Sequence, residues 1–208
     1  MKKLSPKEVY VLYGLALQTD YETKVSYVNQ TTLLDKLNSG GDTESLRHLQ
    51  RKLSELAESG LIEKNTQTHL NKDNQSMRFN TYKLDNVMSG DNYILVRDTL
   101  EKEPIRNEAK GFLIMLKMLC YNFENHTNYT SEEMASLVGL SVSQVNRYIK
   151  ELKDLGYITK RKKNKVTTTT IIRDNDFFIN GKQSELVKIK KLYPECLTDE
   201  DLLNGKIL

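Results

Sequence analysis

Basic side chains are concentrated in one short stretch of the chain, residues 143–165. Eight Lys or Arg and two acidic residues lie in this stretch, a local net charge of +6, whereas the whole chain carries only +3. Lys and Arg bind the phosphates of a duplex and displace its counterions. The stretch therefore predicts contact with double-stranded DNA.

The first part of this stretch has the spacing of an amphipathic helix. Apolar residues recur at helical intervals and predict one buried side, formed by Val142, Val145, Ile149, Leu152 and Leu155. Ser143, Gln144, Arg147 and Lys150 fall on the opposite side. Gly156 is expected to end the helix, because glycine readily takes a positive φ.

The polar side chains of this helix have the chemistry that base reading needs. In a major groove, Arg147 is suited to two hydrogen bonds with one guanine, and Gln144 or Asn146 to reading adenine. Ser143 and Lys150 are suited to phosphate contacts. The alternative is a helix side that is simply solvated, and the adjacent basic segment favours DNA contact.

A basic hairpin is predicted for residues 157–173, directly after the helix. Its basic residues lie around the expected tip at Asn164 and are Lys160, Arg161, Lys162, Lys163 and Lys165. The return strand is rich in β-branched residues, which favour strands. Such a hairpin predicts phosphate binding with a strong dependence on salt.

The composition is that of a globular chain with 38% hydrophobic and 28% charged residues. Membrane-spanning apolar runs and a signal sequence are missing, so we expect a cytoplasmic protein without membrane contact. Cys120 and Cys196 suggest no disulfide framework, and the three histidines have no metal-ligand spacing. We therefore expect no metal and no cofactor.

Enzymatic activity is not predicted. The sequence has no phosphate-cradling glycine loop, no nucleophile elbow and no metal-spaced carboxylate cluster. Tyr148 is a conceivable strand-cleaving nucleophile, but its position near the apolar side of the helix favours packing.

The element order predicted for residues 5–84 returns in residues 105–173. Each half reads as a helix, a short strand, two helices and a hairpin, and the third helix of the first half is expected at 42–59. The segment ELAESGLIEK at 55–64 aligns with ELKDLGYITK at 151–160 at an offset of 96. The same offset places Arg51 on Arg147, which predicts an internal repeat.

The repeat extends the set of candidate DNA-binding residues to the first half. These candidates are Arg47, His48, Arg51 and Ser54. Residues 42–60 contain three Lys or Arg and four acidic residues, a net charge of −1. Direct DNA contact and a structural or protein-binding role therefore both stay open for this half.

The repeat divides the chain into a first domain (1–86), a connector (87–104), a second domain (105–175) and a C-terminal tail (176–208). A helix predicted at 105–123 has two apolar sides, and the second contains Ile114, Met115 and Met118. That side can meet the first domain or a second copy of the chain, with a mild preference for the first domain. The tail, with a helix expected near 184–193, is another candidate homodimer contact.

The order of elements resembles the winged helix-turn-helix: a capped second helix, a tight turn, a longer third helix and a Leu-Gly-Tyr-Ile step into a hairpin. The resemblance covers about 5–84 and 105–173. Residues 93–96, 107–113 and 137–158 are similar to the winged-helix module of phage and plasmid replication initiators of low-GC Gram-positive bacteria. The resemblance to the winged helix-turn-helix implies an α+β fold, mainly α, with two tandem winged helix-turn-helix domains and a short helical tail.

The resemblance implies a sequence-specific protein of a phage or plasmid that binds double-stranded DNA. We expect transcription regulation, with origin-binding replication initiation as the alternative. A further alternative is a winged-helix interaction subunit similar to the kleisin-associated component of chromosome-condensing complexes. The basic hairpin argues against this third role, because such interaction surfaces tend to be acidic.

Overall fold

The computed structural model describes residues 3–20, 22–70, 76–88, 94–120, 125–163, 167–173 and 177–179. Helices alternate with small antiparallel sheets, so the fold is α+β, as predicted. One hydrophobic core cluster extends from the first helix to Phe178 and includes residues of both halves.

The first half begins with a helix that the sequence caps on its own. The Ser5 hydroxyl accepts from the backbone N–H of Glu8, whose carboxylate accepts in turn from the backbone N–H of Ser5. The elements are α1 (Pro6–Ala16), β1 (Val25–Ser26), α2 (Gln30–Leu37), α3 (Leu46–Glu58), β2 (Glu63–Leu70), β3 (Ser76–Lys83) and the short helix α4 (Asp85–Met88). The strands form an antiparallel sheet in the order β1-β3-β2.

The second half has the same order of elements after a connector. The connector contains β4 (Leu95–Val96) and a 3-10 helix (Asp98–Lys102), and the later strand β8 (Phe178–Ile179) pairs with β4. The second half comprises α5 (Asn107–Met118), β5 (His126–Thr127), α6 (Ser131–Val138), α7 (Val142–Asp154), β6 (Ile158–Lys163) and β7 (Thr167–Ile172). Its sheet has the order β5-β7-β6, which corresponds to that of the first half.

The two halves differ in the turn before their third helix. α2 begins at Gln30 and α6 at Ser131, an offset of 101, whereas α3 begins at Leu46 and α7 at Val142, an offset of 96. The turn therefore spans residues 38–45 in the first half and only 139–141 in the second. After the third helix the offset of 96 holds, and Gly60 and Gly156 both have positive φ, 73° and 84°.

The longer turn of the first half packs against the connector and the start of the second half. Ser39 donates from its hydroxyl to the carbonyl of Glu101 at 2.9 Å, and Asp42 Oδ2 accepts from the backbone N–H of Asn107 at 2.8 Å. A Cβ on Gly40 would lie 2.2 Å from the carbonyl oxygen of Glu103. The additional length of this turn thus forms part of a contact between the halves.

A second contact between the halves is the packing of α1 against α5. A Cβ on Gly111 would lie 1.7 Å from the carbonyl oxygen of Pro6, so only glycine permits this approach. Ile114 and Met115 are buried within the chain, whereas Met118 is 62% exposed. Ile114 and Met115 are therefore covered within the chain, and a homodimer contact through Met118 or the C-terminal tail stays a prediction.

Several predicted boundaries differ from the structure. The helix expected at 42–59 begins only at Leu46, because the Ser45 hydroxyl accepts from the backbone N–H of His48 and caps it there. The helix expected at 105–123 ends at Met118. The short strand predicted between the first two helices of the second half lies at His126–Thr127. The tail helix expected at 184–193 lies outside the described residues.

Candidate nucleic-acid interface

The helix α7 has one buried and one exposed side, as its apolar spacing predicts, but Leu155, predicted on the buried side, is 52% exposed just beyond the end of the helix. Val145, Tyr148, Ile149 and Leu152 are buried. The residues that we predict to contact DNA are all exposed, and they are Ser143, Gln144, Asn146, Arg147 and Lys150. The sequence folds this way because Gly139 takes φ 76° at the end of α6 and Ser141 caps α7 directly afterwards.

Two of the predicted base readers already have partners for their side-chain oxygens. Gln144 Oε1 accepts from the backbone N–H of Ser141 at 2.9 Å and from its hydroxyl at 3.0 Å. Asn146 Oδ1 accepts from the Ser131 hydroxyl at 2.7 Å. Reading adenine takes both the oxygen and the NH₂ group of an amide. Adenine reading by either residue therefore requires that these contacts rearrange.

Arg147 lies against Tyr148 and the first turn of α5. Its guanidinium carbon is 4.8 Å from the centre of the Tyr148 ring, and Nη2 donates to the Tyr148 hydroxyl at 3.0 Å. The carboxylate of Glu108 lies 3.9 Å from the same nitrogen. The Arg147 side chain nevertheless remains 55% exposed. It is therefore accessible to a ligand from the exposed side of α7.

The basic strand β6 lies next to α7 along the chain and pairs with a strand of threonines. Lys160 is opposite Thr170 and Arg161 opposite Thr169, and both basic residues are exposed. The backbone of Lys162 and Lys163 continues β6. The side chains of these two residues and the whole of Lys165 lie outside the described residues.

Lys153 extends the basic surface and was not among the predicted residues. Although Lys160 is exposed overall, burial around its ammonium group lowers its pKa, and the positive charge of Lys153 lowers it further. Glu132 acts in the opposite direction. Two ammonium groups that repel each other are suited to an anion. The spacing from Lys150 to Lys153, one helical turn, was the available signal in the sequence.

The acidic Glu151 of α7 is neutralised within the structure. Arg106, the residue before α5, donates from Nε to Glu151 Oε1 at 2.9 Å and also contacts Oε2 with Nη2. The hydrogen bond to Glu151 raises the pKa of Arg106. The ion pair reduces the negative potential that Glu151 would otherwise add beside Lys150.

The candidate DNA-binding residues of the first half, unlike those of α7 and β6, lie mainly beside acidic groups. Arg51 Nε lies 3.7 Å from Glu55, and His48 Nδ1 lies 3.3 Å from Glu44. Arg47 is exposed, and Ser54 is half-buried. The structure thus places both Arg51 and His48 beside acidic groups on the same segment, which weakens their attraction to phosphate.

The exposed strand of the first hairpin is nearly neutral. Residues 63–68 of β2 are all exposed and contain one acid, Glu63, and one base, Lys64. The corresponding strand β6 has four consecutive basic residues, 160–163. The positive surface therefore belongs mainly to the second half.

Comparison with known families identifies this second half. Residues 111–173 match the family model of the Crp-like helix-turn-helix domain. This segment is a helix-turn-helix DNA-binding domain. It runs from within α5 to the residue after β7, and the turn of three residues between α6 and α7 has the length expected for the motif. The comparison with curated proteins found no match for the chain.

The Crp-like helix-turn-helix domain is a DNA-binding regulatory domain and is typically not enzymatic. Tyr148, the one nucleophile considered, is buried, and this burial raises its pKa. In the part of the chain that the structure describes, no cluster of three metal-ligating side chains occurs. Among the same residues, no helix combines the length and apolar character that crossing a membrane requires.

Proposed function

We propose that this protein is a sequence-specific regulator of transcription that binds double-stranded DNA through α7 and the basic hairpin. The proposal rests mainly on one observation: an exposed polar side of α7 adjoins a basic strand within the segment that matches the helix-turn-helix domain. In this arrangement α7 enters a major groove and the hairpin contacts the phosphates beside it. A phage or plasmid origin of the gene is part of the proposal.

Each residue has a role in the proposed complex. Arg147 reads guanine through the N–H groups that do not contact Tyr148, while Ser143 and Lys150 bind phosphates on either side of the groove. Lys153, Lys160 and Arg161 continue this contact to the backbone. Gln144 primarily keeps α7 capped, and its role in base reading is secondary because Ser141 occupies its oxygen.

We further propose that both halves are winged helices, which makes the chain a tandem of two such domains. The common element order and sheet order support this assignment. The contacts of the turn at 38–45 and of α1 with α5 hold the two halves against each other, so α3 and α7 move as one unit. A single chain would then contact two sites on DNA at a fixed separation.

The first half has the weaker case for DNA contact, because acids lie next to Arg51 and His48. An Arg47→Ala variant separates the two roles of this half. A loss of affinity for the selected target would favour direct contact, and unchanged affinity would favour a structural or protein-binding role. Arg47 is exposed, so its replacement leaves the core intact, and thermal unfolding checks that the variant is folded.

Replication initiation is the second candidate function. It is favoured by the similarity of residues 93–96, 107–113 and 137–158 to initiator modules. Footprinting on the DNA around the gene distinguishes the two roles. A single protected site that overlaps a promoter supports regulation, whereas protection of iterated direct repeats supports an initiator.

Selection of bound sequences from a random duplex pool tests the proposal directly. The proposal predicts enrichment of a defined motif with at least one guanine whose exchange lowers affinity. Recovery of sequences without any shared motif would contradict sequence-specific binding.

A further inference from the structure

Glu108, in the first turn of α5, lies between two arginines, Arg106 before α5 and Arg147 on α7. Its Oε2 lies 3.9 Å from Arg147 Nη2 and 3.9 Å from Arg106 Nη1, and it accepts a hydrogen bond from the Tyr148 hydroxyl at 3.2 Å. Arg106 is engaged more closely by Glu151. Glu108 is therefore available mainly to Arg147 and Tyr148.

The contact between Glu108 and Arg147 is built on a buried aromatic ring that has a fixed position. The Tyr148 ring is 3% exposed and stacks on Phe112 with 5.0 Å between ring centres, so its hydroxyl has a fixed position. Arg147 lies over this ring and donates to this hydroxyl. A guanidinium held by a buried ring and a carboxylate has less rotational freedom than an ordinary surface arginine.

We propose that Glu108 is a positioning residue that makes Arg147 selective for a base over phosphate. This inference rests on the proposed function. In the complex with the target, Arg147 retains Tyr148 and Glu108 and contacts guanine with its remaining N–H groups. To reach a phosphate of an arbitrary duplex, the side chain has to leave Glu108, and this loss offsets part of the phosphate attraction.

The inference predicts that Glu108→Gln affects binding to two kinds of DNA differently. Affinity for random duplex rises, because Arg147 is released for phosphate contact, while affinity for the selected target stays equal or falls. An ion pair of this exposure contributes about 0.2–1 kcal/mol, so the ratio of the two affinities is expected to fall by about 1.4- to fivefold. Gln keeps an oxygen acceptor for the Tyr148 hydroxyl, which preserves the fold.

The test measures binding of the full chain to the selected target and to random duplex by fluorescence anisotropy. Glu58→Gln is the matched control, because Glu58 is exposed at the end of α3 and the exchange removes the same charge. Glu108→Gln and Arg147→Ala are also combined in a double-mutant cycle. If Glu108 acts through Arg147, Glu108→Gln leaves the affinity ratio unchanged in the Arg147→Ala background.

Each outcome decides for or against the inference. A ratio lowered by Glu108→Gln alone, unchanged by Glu58→Gln and insensitive to Glu108 once Arg147 is Ala supports it. An equal change of both affinities in Glu108→Gln and Glu58→Gln indicates a general charge effect and overturns it. The same holds if the fall in ratio persists without Arg147. A wild-type protein that binds no duplex would instead refute the proposed function, which makes the two failures distinguishable.

Discussion

The carboxylate of Asp42 accepts a hydrogen bond from the backbone N–H of Asn107 at 2.8 Å, so a turn in the first half caps a helix of the second. Arg106, at the N-cap position of α5, forms no capping bond of its own side chain. The cap is therefore supplied across the two halves, which makes the stability of the helix-turn-helix domain depend on the first half.

Replacement of Asp42 by Ala should destabilise the protein by about 1 kcal/mol, the usual effect of losing an N-terminal helix cap. Chemical denaturation followed by circular dichroism measures the free energy of unfolding. Asp35→Ala is the control, since Asp35 is exposed on α2 and the exchange removes the same charge. Equal stability of the two variants would contradict the capping role.

Replacement of Gly111 by Ala should destabilise the fold far more. The added methyl group would meet the backbone of Pro6 at 1.7 Å, and α1 and α5 would have to separate. We expect a loss of about 3 kcal/mol or more, at the upper end for overpacking. Gly14→Ala is the matched variant, because its methyl group meets side-chain atoms rather than backbone, those of Leu37 at 2.8 Å and Leu33 at 3.2 Å, and alanine favours the helix. A small effect of Gly111→Ala would mean that the helices are not in this close contact.

Because Lys110 is buried, we expect the stability of the protein to increase with pH in the alkaline range. Its amine donates to the carbonyl of Glu101 at 2.7 Å, and burial lowers its pKa to about 8, against the attraction of Asp42, Glu103 and Glu101. The unfolded chain, with a pKa near 10.5, therefore binds more protons than the folded chain between these values. Stability should rise with pH above about 8, by up to about 1.4 kcal/mol per unit from this group.

The increase should end near pH 10, the ordinary pKa of tyrosine, because burial raises the pKa of Tyr10 and Tyr13 and opposes their ionisation in the folded state. Lys117 contributes with the same sign as Lys110, since burial lowers its pKa too. Urea unfolding at successive pH values measures the slope. Lys110→Met should reduce this slope, and an unchanged slope would show that Lys110 is not its source.

Replacement of Arg147 by Ala should relax base specificity at one position of the selected target. Loss of a bidentate contact to guanine typically costs about 1–3 kcal/mol against the correct base. Affinities for the target and for its single-base variants measure the effect. A uniform loss of affinity on all these duplexes would show that Arg147 binds phosphate instead.

The sequence predicted the local features of this fold well, because they depend on neighbouring residues. The positive φ of Gly156 after α7 and the buried side of α7 both follow from short-range spacing. The α+β class followed from the order of these elements.

Contacts between distant segments were beyond the reach of the sequence. The sequence pattern predicts Asp42 as the start of α3, yet its side chain caps a helix 65 positions away. The acid beside Arg147 comes from α5, and the repeat gave no hint of it because the repeat aligns only local patterns. Gln144 fits base reading by its residue type and a capping box by its place three residues after Ser141, and the structure shows the capping box.

The salt dependence of binding to a random duplex tests the central claim most directly. The account predicts measurable binding at low salt, with log affinity falling linearly as log salt concentration rises. Lys160→Gln combined with Arg161→Gln should reduce this slope by about 2, at nearly one unit for each lost phosphate contact. Lys36→Gln combined with Lys102→Gln, which removes equal charge from other parts of the chain, should leave the slope nearly unchanged. Absence of binding at low salt, or equal slopes for the two double variants, would contradict the account.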